Sequence, residues 1–255
     1  MLYLLQSLFI NNWGVLRIFK SITIRASIAF IIAFVFMLIF GKPFIKWLKK
    51  KKYGDTAREE GPQSHFSKSG TPTMGGLLII GAIIFSTLIA GNFTNKFIIF
   101  LFIITILFTT IVFYDDYLKL TKHKNGLSGK KKILGQLIIT GLTFAFICKY
   151  GIINKTLDFS IVNPLIKGSF LYITPVLFFV FMLFVIIGSS NAVNLTDGLD
   201  GLVSGPIIVV SVTLLIITYL TGHYEYAKYL NLYYVRESAE ITVYLASVIG
   251  ALIGF

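Results

Sequence analysis

Charge, cysteine and chain punctuation are what this sequence has least of. Only 13% of its 255 residues are charged, against roughly 25% in soluble chains. With 56% apolar residues and 15% aromatic ones, so few charges cannot cover a water-soluble globule. A single cysteine, Cys148, rules out an internal disulfide and reads as a small core or lipid-facing residue. No internal repeat, low-complexity tract or domain-dividing linker interrupts the chain. Nor is there a cleavable signal. Residues 1–10 are apolar but short, with no basic flank before them and no small-residue cleavage pattern after them. They read as an interfacial helix.

What is present is a succession of apolar runs and a mean hydropathy of +0.82. A spanning helix takes about 20 mostly apolar residues. Residues 22–40, 74–90, 97–114, 133–150, 171–188 and 202–220 fit that requirement, and a seventh run starts near residue 241 and reaches residue 255. In hydrocarbon every backbone polar group must be satisfied within its own element, so runs of this kind are helices. The expectation is an all-α, polytopic integral membrane protein. It has six complete transmembrane helices and a truncated seventh, forming one transmembrane domain over residues 1–255. The last run has no polar flank, so the chain reads as a C-terminal truncation of a longer protein.

The net charge of +12 does not indicate nucleic acid, because the basic residues flank the apolar runs instead of gathering on one domain. The loop over residues 41–72 holds Lys42, Lys46, Lys49 to Lys52, Arg58 and Lys68. The loop over 115–132 holds Lys119, Lys122, Lys124 and Lys130 to Lys132, whereas 91–96 has one lysine. The positive-inside rule then puts both basic loops in the cytoplasm and the N-terminus outside. By helix count, residues 189–201 are cytoplasmic, and 151–170 and 221–240 are external. His223, Glu225, Glu237 and Glu240 read as solvated external groups.

Three polar constellations fall on the predicted cytoplasmic side. Asp115-Asp116 follows the aromatic end of the third run. Adjacent carboxylates repel unless a cation neutralises them, and magnesium is a hard cation often shared with phosphates. The plainer alternative is a pair of interfacial charges that stops the helix. Lys119, one turn on, either holds a phosphate or neutralises the pair. The second constellation runs Asn191-Ala-Val-Asn194-Leu-Thr-Asp197-Gly-Leu-Asp200-Gly. Amides and carboxylates at every third residue form a row on one side of a helical turn, and such a row at a membrane boundary calls for a polar ligand. A capping loop is the plainer alternative. The third runs from Gln63 through His65 and Lys68 to Thr73-Met74-Gly75-Gly76. Its glycines cost helix stability, about 1 kcal/mol each, and permit close backbone approach.

Together "GTPTMGG", "YDDYLK" with "NGLSGKKK", and "NAVNLTDGLDGL" resemble the phospho-N-acetylmuramoyl-pentapeptide-transferase family, within the polyprenyl-phosphate N-acetylhexosamine-1-phosphate transferases. The resemblance runs from about Lys52 onward. It implies a magnesium-dependent enzyme of the bacterial cytoplasmic membrane, working at the cytoplasmic face. UDP-N-acetylmuramoyl-pentapeptide and undecaprenyl phosphate are the implied substrates, in the lipid bilayer, with a homodimer as the implied assembly and no nucleic acid partner. By similarity Asp115 and Asp116 fall at the catalytic and metal-binding pair. Asn191, Asn194, Asp197 and Asp200 match the nucleoside pocket, and Lys68, Thr73 and Lys132 match further polar positions around the nucleotide. Lys119 is added as a phosphate-binding candidate.

The resemblance also implies further spans and loops beyond residue 255, so the chain alone is expected to be inactive. Two other readings stay open: a GlcNAc-1-phosphate or related sugar-phosphate transferase, and an ion-coupled transporter. A transporter would place acids at several membrane depths, whereas here they share one predicted face. Cysteines substituted for Asp116 and Asp197 should therefore react with an impermeant thiol reagent from the same side of the membrane. Labelling from opposite sides would exclude a common site.

Overall fold

Apolar runs with no water to serve their backbones close their hydrogen bonds along the chain, and helices result. The structure, a computed structural model, describes residues 2–3, 14–50, 74–121, 126–154, 159–162, 170–196 and 202–255. The long elements are α1 (Ile22–Lys50), α2 (Gly75–Ala90), α3 (Lys96–Thr121), α4 (Gly129–Asn154), α5 (Pro175–Thr196) and α6 (Ser204–Thr221). A short α7 (Tyr224–Tyr229) and a 3-10 turn (Ser238–Glu240) lead into α8 (Ile241–Gly254). Each predicted apolar run is helical over most of its length, the fifth only from Pro175 because Phe170–Tyr172 is a strand. Among the described residues five helices (α1, α3, α4, α5 and α6) are long and apolar enough to cross a membrane, while α2 and Ser238–Gly254 are shorter. Large side chains such as Phe184, Val176 and Val209 stand mostly exposed, as a surface facing hydrocarbon requires.

The helix ends depart from expectation. The helix α1 continues past residue 40 through Pro43 to Lys50, and α3 continues past Tyr114 to Thr121. Hydropathy falls where lysines and acids begin, but lysine forms helix readily, and no glycine or proline stops the backbone around Asp115 and Asp116. Asp115 and Asp116 thus lie inside a helix, not after one. A second departure is a small antiparallel hairpin of β1 (Ser160–Val162) and β2 (Phe170–Tyr172), with Ile161 opposite Leu171; the other regular elements among the described residues are helices. Between α4 and α5 the backbone satisfies itself by pairing across strands, and Ile173 N–H extends the ladder to the Phe159 carbonyl at 3.0 Å.

Two compact units make up the chain, residues 1–121 with 204–255, and residues 122–203. In the first, α8 is the central helix. Val243, Ala246, Ser247, Ile249, Gly250 and Ala251 are all buried along it. Small residues let neighbouring backbones come close. A Cβ on Gly250 would collide with the Phe30 carbonyl of α1. Hydroxyls tie α8 to three partners: Ser247 with Thr87 of α2 at 3.1 Å, Tyr244 with Thr105 of α3 at 2.6 Å, and Thr242 with Thr218 of α6 at 3.3 Å. Ala33, Met37, Leu78, Ala82 and Ala251 form the core between α1, α2 and α8. In the second unit, Phe144 of α4 meets Phe159 and Phe179, which seats the hairpin base and α5 against α4.

Glu240 corrects the sequence reading. It is not a solvated charge but is 5% exposed and paired with Arg25 at the start of α1, itself 1% exposed. The pairing is two-pronged, with Nη2 donating to Oε2 at 2.8 Å and Nη1 to Oε1. The Asn92 N–H also donates to Glu240 at 3.0 Å, and Arg25 reaches the Ala90 carbonyl at 3.3 Å. Desolvating two ions is compensated only when both are present. Glu240→Ala should therefore lower stability by about 3–5 kcal/mol, read as thermal unfolding in detergent. The double replacement Arg25→Met with Glu240→Leu should recover most of that loss.

Candidate active site

The helix α3 carries the acid pair near its C-terminal end. Asp115 is 6% exposed, and Asp116 points more to solvent. Lys119 closes on both, at 2.9 Å from Asp115 Oδ2 and 3.3 Å from Asp116 Oδ1. Spacings of three and four residues put these groups on one helix face, so the cluster needs no other element to assemble it. Here the sequence expectation for Asp115, Asp116 and Lys119 as neighbours is met. The cluster joins two adjacent carboxylates that repel one another with a cation on a flexible stem.

The same stretch of α3 walls an apolar recess of about 350 Å³. Phe113 and Tyr117, bracketing the acids in sequence, face Phe44, Trp47, Met74 and Leu77 across it. Met74 holds a left-handed backbone (φ 75°) at the start of α2, a conformation that costs energy for a residue with a Cβ. Gly75 fits the close-approach expectation, since a Cβ there would lie 3.3 Å from the Phe255 ring. Beside Gly76 the protein leaves open space.

In the second unit the antiparallel helices α4 and α5 share a polar bridge. Gln136 of α4, 1% exposed, donates from Nε2 to Ser190 Oγ at 3.1 Å. Asn191 donates from Nδ2 to Gln136 Oε1 at 3.1 Å and to the Ile187 carbonyl at 2.9 Å. Lys132 lies one turn from Gln136 toward the start of α4, and Asn194 one turn from Asn191 toward the end of α5. Both sit at the same end of the helix pair. Neither Gln136 nor Ser190 was selected from sequence, although a glutamine inside an apolar run is itself a signal of a polar partner. Lys68, Thr73, Asp197 and Asp200 lie outside the described residues.

Known proteins resemble this chain along most of its length. Residues 97–255 match the family described as Glycosyl transferase family 4. Residues 68–80 match phospho-N-acetylmuramoyl-pentapeptide-transferase signature 1. The chain is 45% identical over 241 residues to the phospho-N-acetylmuramoyl-pentapeptide-transferase of Fusobacterium nucleatum subsp. nucleatum, covering 94% of this chain and 66% of that protein. It is 41% identical over 258 residues to the protein of the same name from Leptospira biflexa, covering 96% and 68%. With the Rickettsia bellii protein of that name it shares 39% over 257 residues, covering 100% and 70%.

The chain belongs to the phospho-N-acetylmuramoyl-pentapeptide-transferase family. It spans about two thirds of the length of these relatives. Membership decides against the transporter reading, and the relatives' names favour the muramoyl-pentapeptide transferases over the GlcNAc-phosphate branch. The magnesium that the transferase family resemblance implies can be tested against the donors present. Among the described residues no three His, Cys, Asp or Glu side chains gather as a metal cage. Two hard carboxylates do stand together, and Mg²⁺ commonly takes one or two protein carboxylates with water and substrate oxygens completing its shell. Asp115 and Asp116 fit that role.

The stability consequence of the cluster is small. Lys119 is half-exposed, and ion pairs of this kind contribute about 0.3–1 kcal/mol. Lys119→Met should cost no more than about 1 kcal/mol in thermal unfolding, and adding Asp115→Asn should restore most of it. A loss of several kcal/mol would show that Lys119 is a structural staple.

Proposed function

We propose that the enzyme this chain belongs to transfers phospho-N-acetylmuramoyl-pentapeptide from UDP to undecaprenyl phosphate, releasing UMP and forming the first lipid-linked peptidoglycan precursor. A phosphate oxygen of the carrier bonds to the phosphorus that bears the sugar, and the pyrophosphate bond to UMP breaks. Family membership supports the reaction. The observation that carries it in the structure is an acid pair with its lysine on a helix that also walls an apolar recess. A reaction between a lipid phosphate and a nucleotide diphosphate needs charged chemistry beside apolar surface.

Exchange between phosphates depends on positioning and charge neutralisation more than on a strong base. Asp116 is the more accessible of the pair, with its side chain 23% exposed against 9% for Asp115. It is the carboxylate that meets substrate and takes the proton of the lipid phosphate. Asp115, buried and closer to Lys119, holds the ammonium where it can contact a phosphate oxygen. Magnesium, when bound by the two carboxylates, supplies further neutralisation of the diphosphate. By resemblance, Asn191, Asn194, Asp197 and Asp200 receive the nucleoside and its neighbouring groups, and Lys68, Thr73 and Lys132 take further polar roles toward the nucleotide. The positive-inside pattern supports a site on the cytoplasmic face of a bacterial inner membrane.

In the full-length protein, Asp116→Asn should cut UMP release from UDP-N-acetylmuramoyl-pentapeptide by about 10²-fold or more while membrane insertion stays normal. Chelation with EDTA should abolish release, and added Mg²⁺ should restore it. Turnover retained by the variant would remove Asp116 from the catalytic machinery.

A further inference from the structure

The bridge between α4 and α5 has a direction that one backbone group sets. The Ile187 carbonyl can only accept a hydrogen bond, so the Asn191 atom 2.9 Å from it is the amide nitrogen. That nitrogen's other hydrogen goes to Gln136, 3.1 Å away, so the Gln136 atom facing it is the carbonyl oxygen. The Gln136 amide nitrogen is thereby turned to Ser190 Oγ. Both donors of Asn191 are then spent inside the protein. What remains of its side chain is an acceptor, Oδ1.

Gln136 is 1% exposed and cannot itself touch a ligand. Its side-chain amide is held at both ends, by Ser190 and by Asn191, and its burial leaves it little freedom to rotate. A buried amide left without partners is costly, and Gln136 meets that demand only by holding Asn191 in one orientation. We infer that Gln136 is a positioning residue for the nucleotide sugar: it fixes Asn191 so that the amide oxygen alone faces the substrate and selects a hydroxyl or imide N–H donor on it. This rests on the assignment of Asn191 to substrate binding made above. The preference is for a ligand that brings a hydrogen, and a ligand group offering only an acceptor is excluded there.

A bridge that merely glues two helices would look the same at rest, so the test separates positioning from glue. In the full-length protein in detergent, Gln136→Leu should raise KM for UDP-N-acetylmuramoyl-pentapeptide about tenfold. Its kcat and its KM for polyprenyl phosphate should stay within about twofold. Gln136→Glu, neutral in this apolar setting, keeps an acceptor toward Asn191 and a donor toward Ser190, and should return KM to within about threefold of the parent. On an Asn191→Ala background, Gln136→Leu should add less than about twofold, because the residue it orients is gone. If Gln136→Leu does not accumulate in membranes, Gln136→Ser replaces it with the same expected rise, since its short side chain cannot reach Asn191. An unchanged KM, additive effects with Asn191→Ala, or equal losses in every kinetic constant that track a lower Tm would overturn the inference. Absence of UMP release by the parent protein would instead defeat the transferase reading on which it rests.

Discussion

A guanidinium carried into an apolar bundle must find its counter-charge there, and much of the first unit is arranged around that demand. Removing each ion of such a pair from water costs several kcal/mol, recovered only through close, two-pronged contact and full use of the remaining lone pairs. Arg25 finds that contact 215 residues away, in Glu240. The requirement brings together the start of α1, the end of α2 at Ala90, the turn at Asn92 and the entry to α8. The Tyr3 ring lies 5.3 Å from the guanidinium and adds an aromatic face. Once the entry to α8 is pinned, its small residues decide the rest. Gly250 against the Phe30 carbonyl and Ala251 in the core hold α8 close to α1. The pair gives one register; the glycine and alanines make that register close-packed.

The same anchoring reaches the acid cluster through a single helix. Asn95 caps α3, accepting from the Phe97 N–H at 2.8 Å, while its amide donates to the Glu237 carbonyl at 3.0 Å. The N-terminus of α3 is thus fixed to the segment that carries Glu240. Twenty residues of helix then span about 30 Å to Asp115. Midway, Thr105 is held by Tyr244. Functional groups on a rigid element keep their geometry better than groups on loops, and extension of α3 to Thr121 gives the acids that rigidity. In the second unit Asn191 gains the same advantage by lying on α5, braced from α4.

Apolar run length alone announced the helices, because a backbone in hydrocarbon has few alternatives. It did not announce their ends. Hydropathy registers where charge begins, whereas helix termination depends on caps and breakers, and neither Lys46 nor Asp116 supplies one. The acid pair and Asn191 were legible because polar groups are expensive at a membrane boundary. Arg25 and Gln136 were equally expensive and equally visible, yet the identity of their partners was not. Glu240 looked like one more acid in an external stretch until tertiary packing put it beside Arg25. A hydropathy reading has no register for a partner two hundred residues away. The hairpin of β1 and β2 was also silent, because short strands that pair only with each other leave little periodicity to detect.

How a polar group is compensated decides whether a ligand can use it. Thr105, Thr109 and Thr143 satisfy themselves on carbonyls one turn back in their own helices, so they remain inert unless a neighbour such as Tyr244 intervenes. Arg25 and Glu240 are compensated by each other across the fold, and separating them would cost about 3–5 kcal/mol. A single hydrogen bond to a ligand does not offset that. Asp115 and Asp116 are met by Lys119 from the next turn of the same helix, on a half-exposed and flexible stem. Displacing such a lysine costs about 1 kcal/mol or less, which a single charge-assisted bond to a phosphate oxygen repays. The exchangeable counter-charge, more than the mere presence of two carboxylates, is what sets the proposed site apart from a staple that only holds.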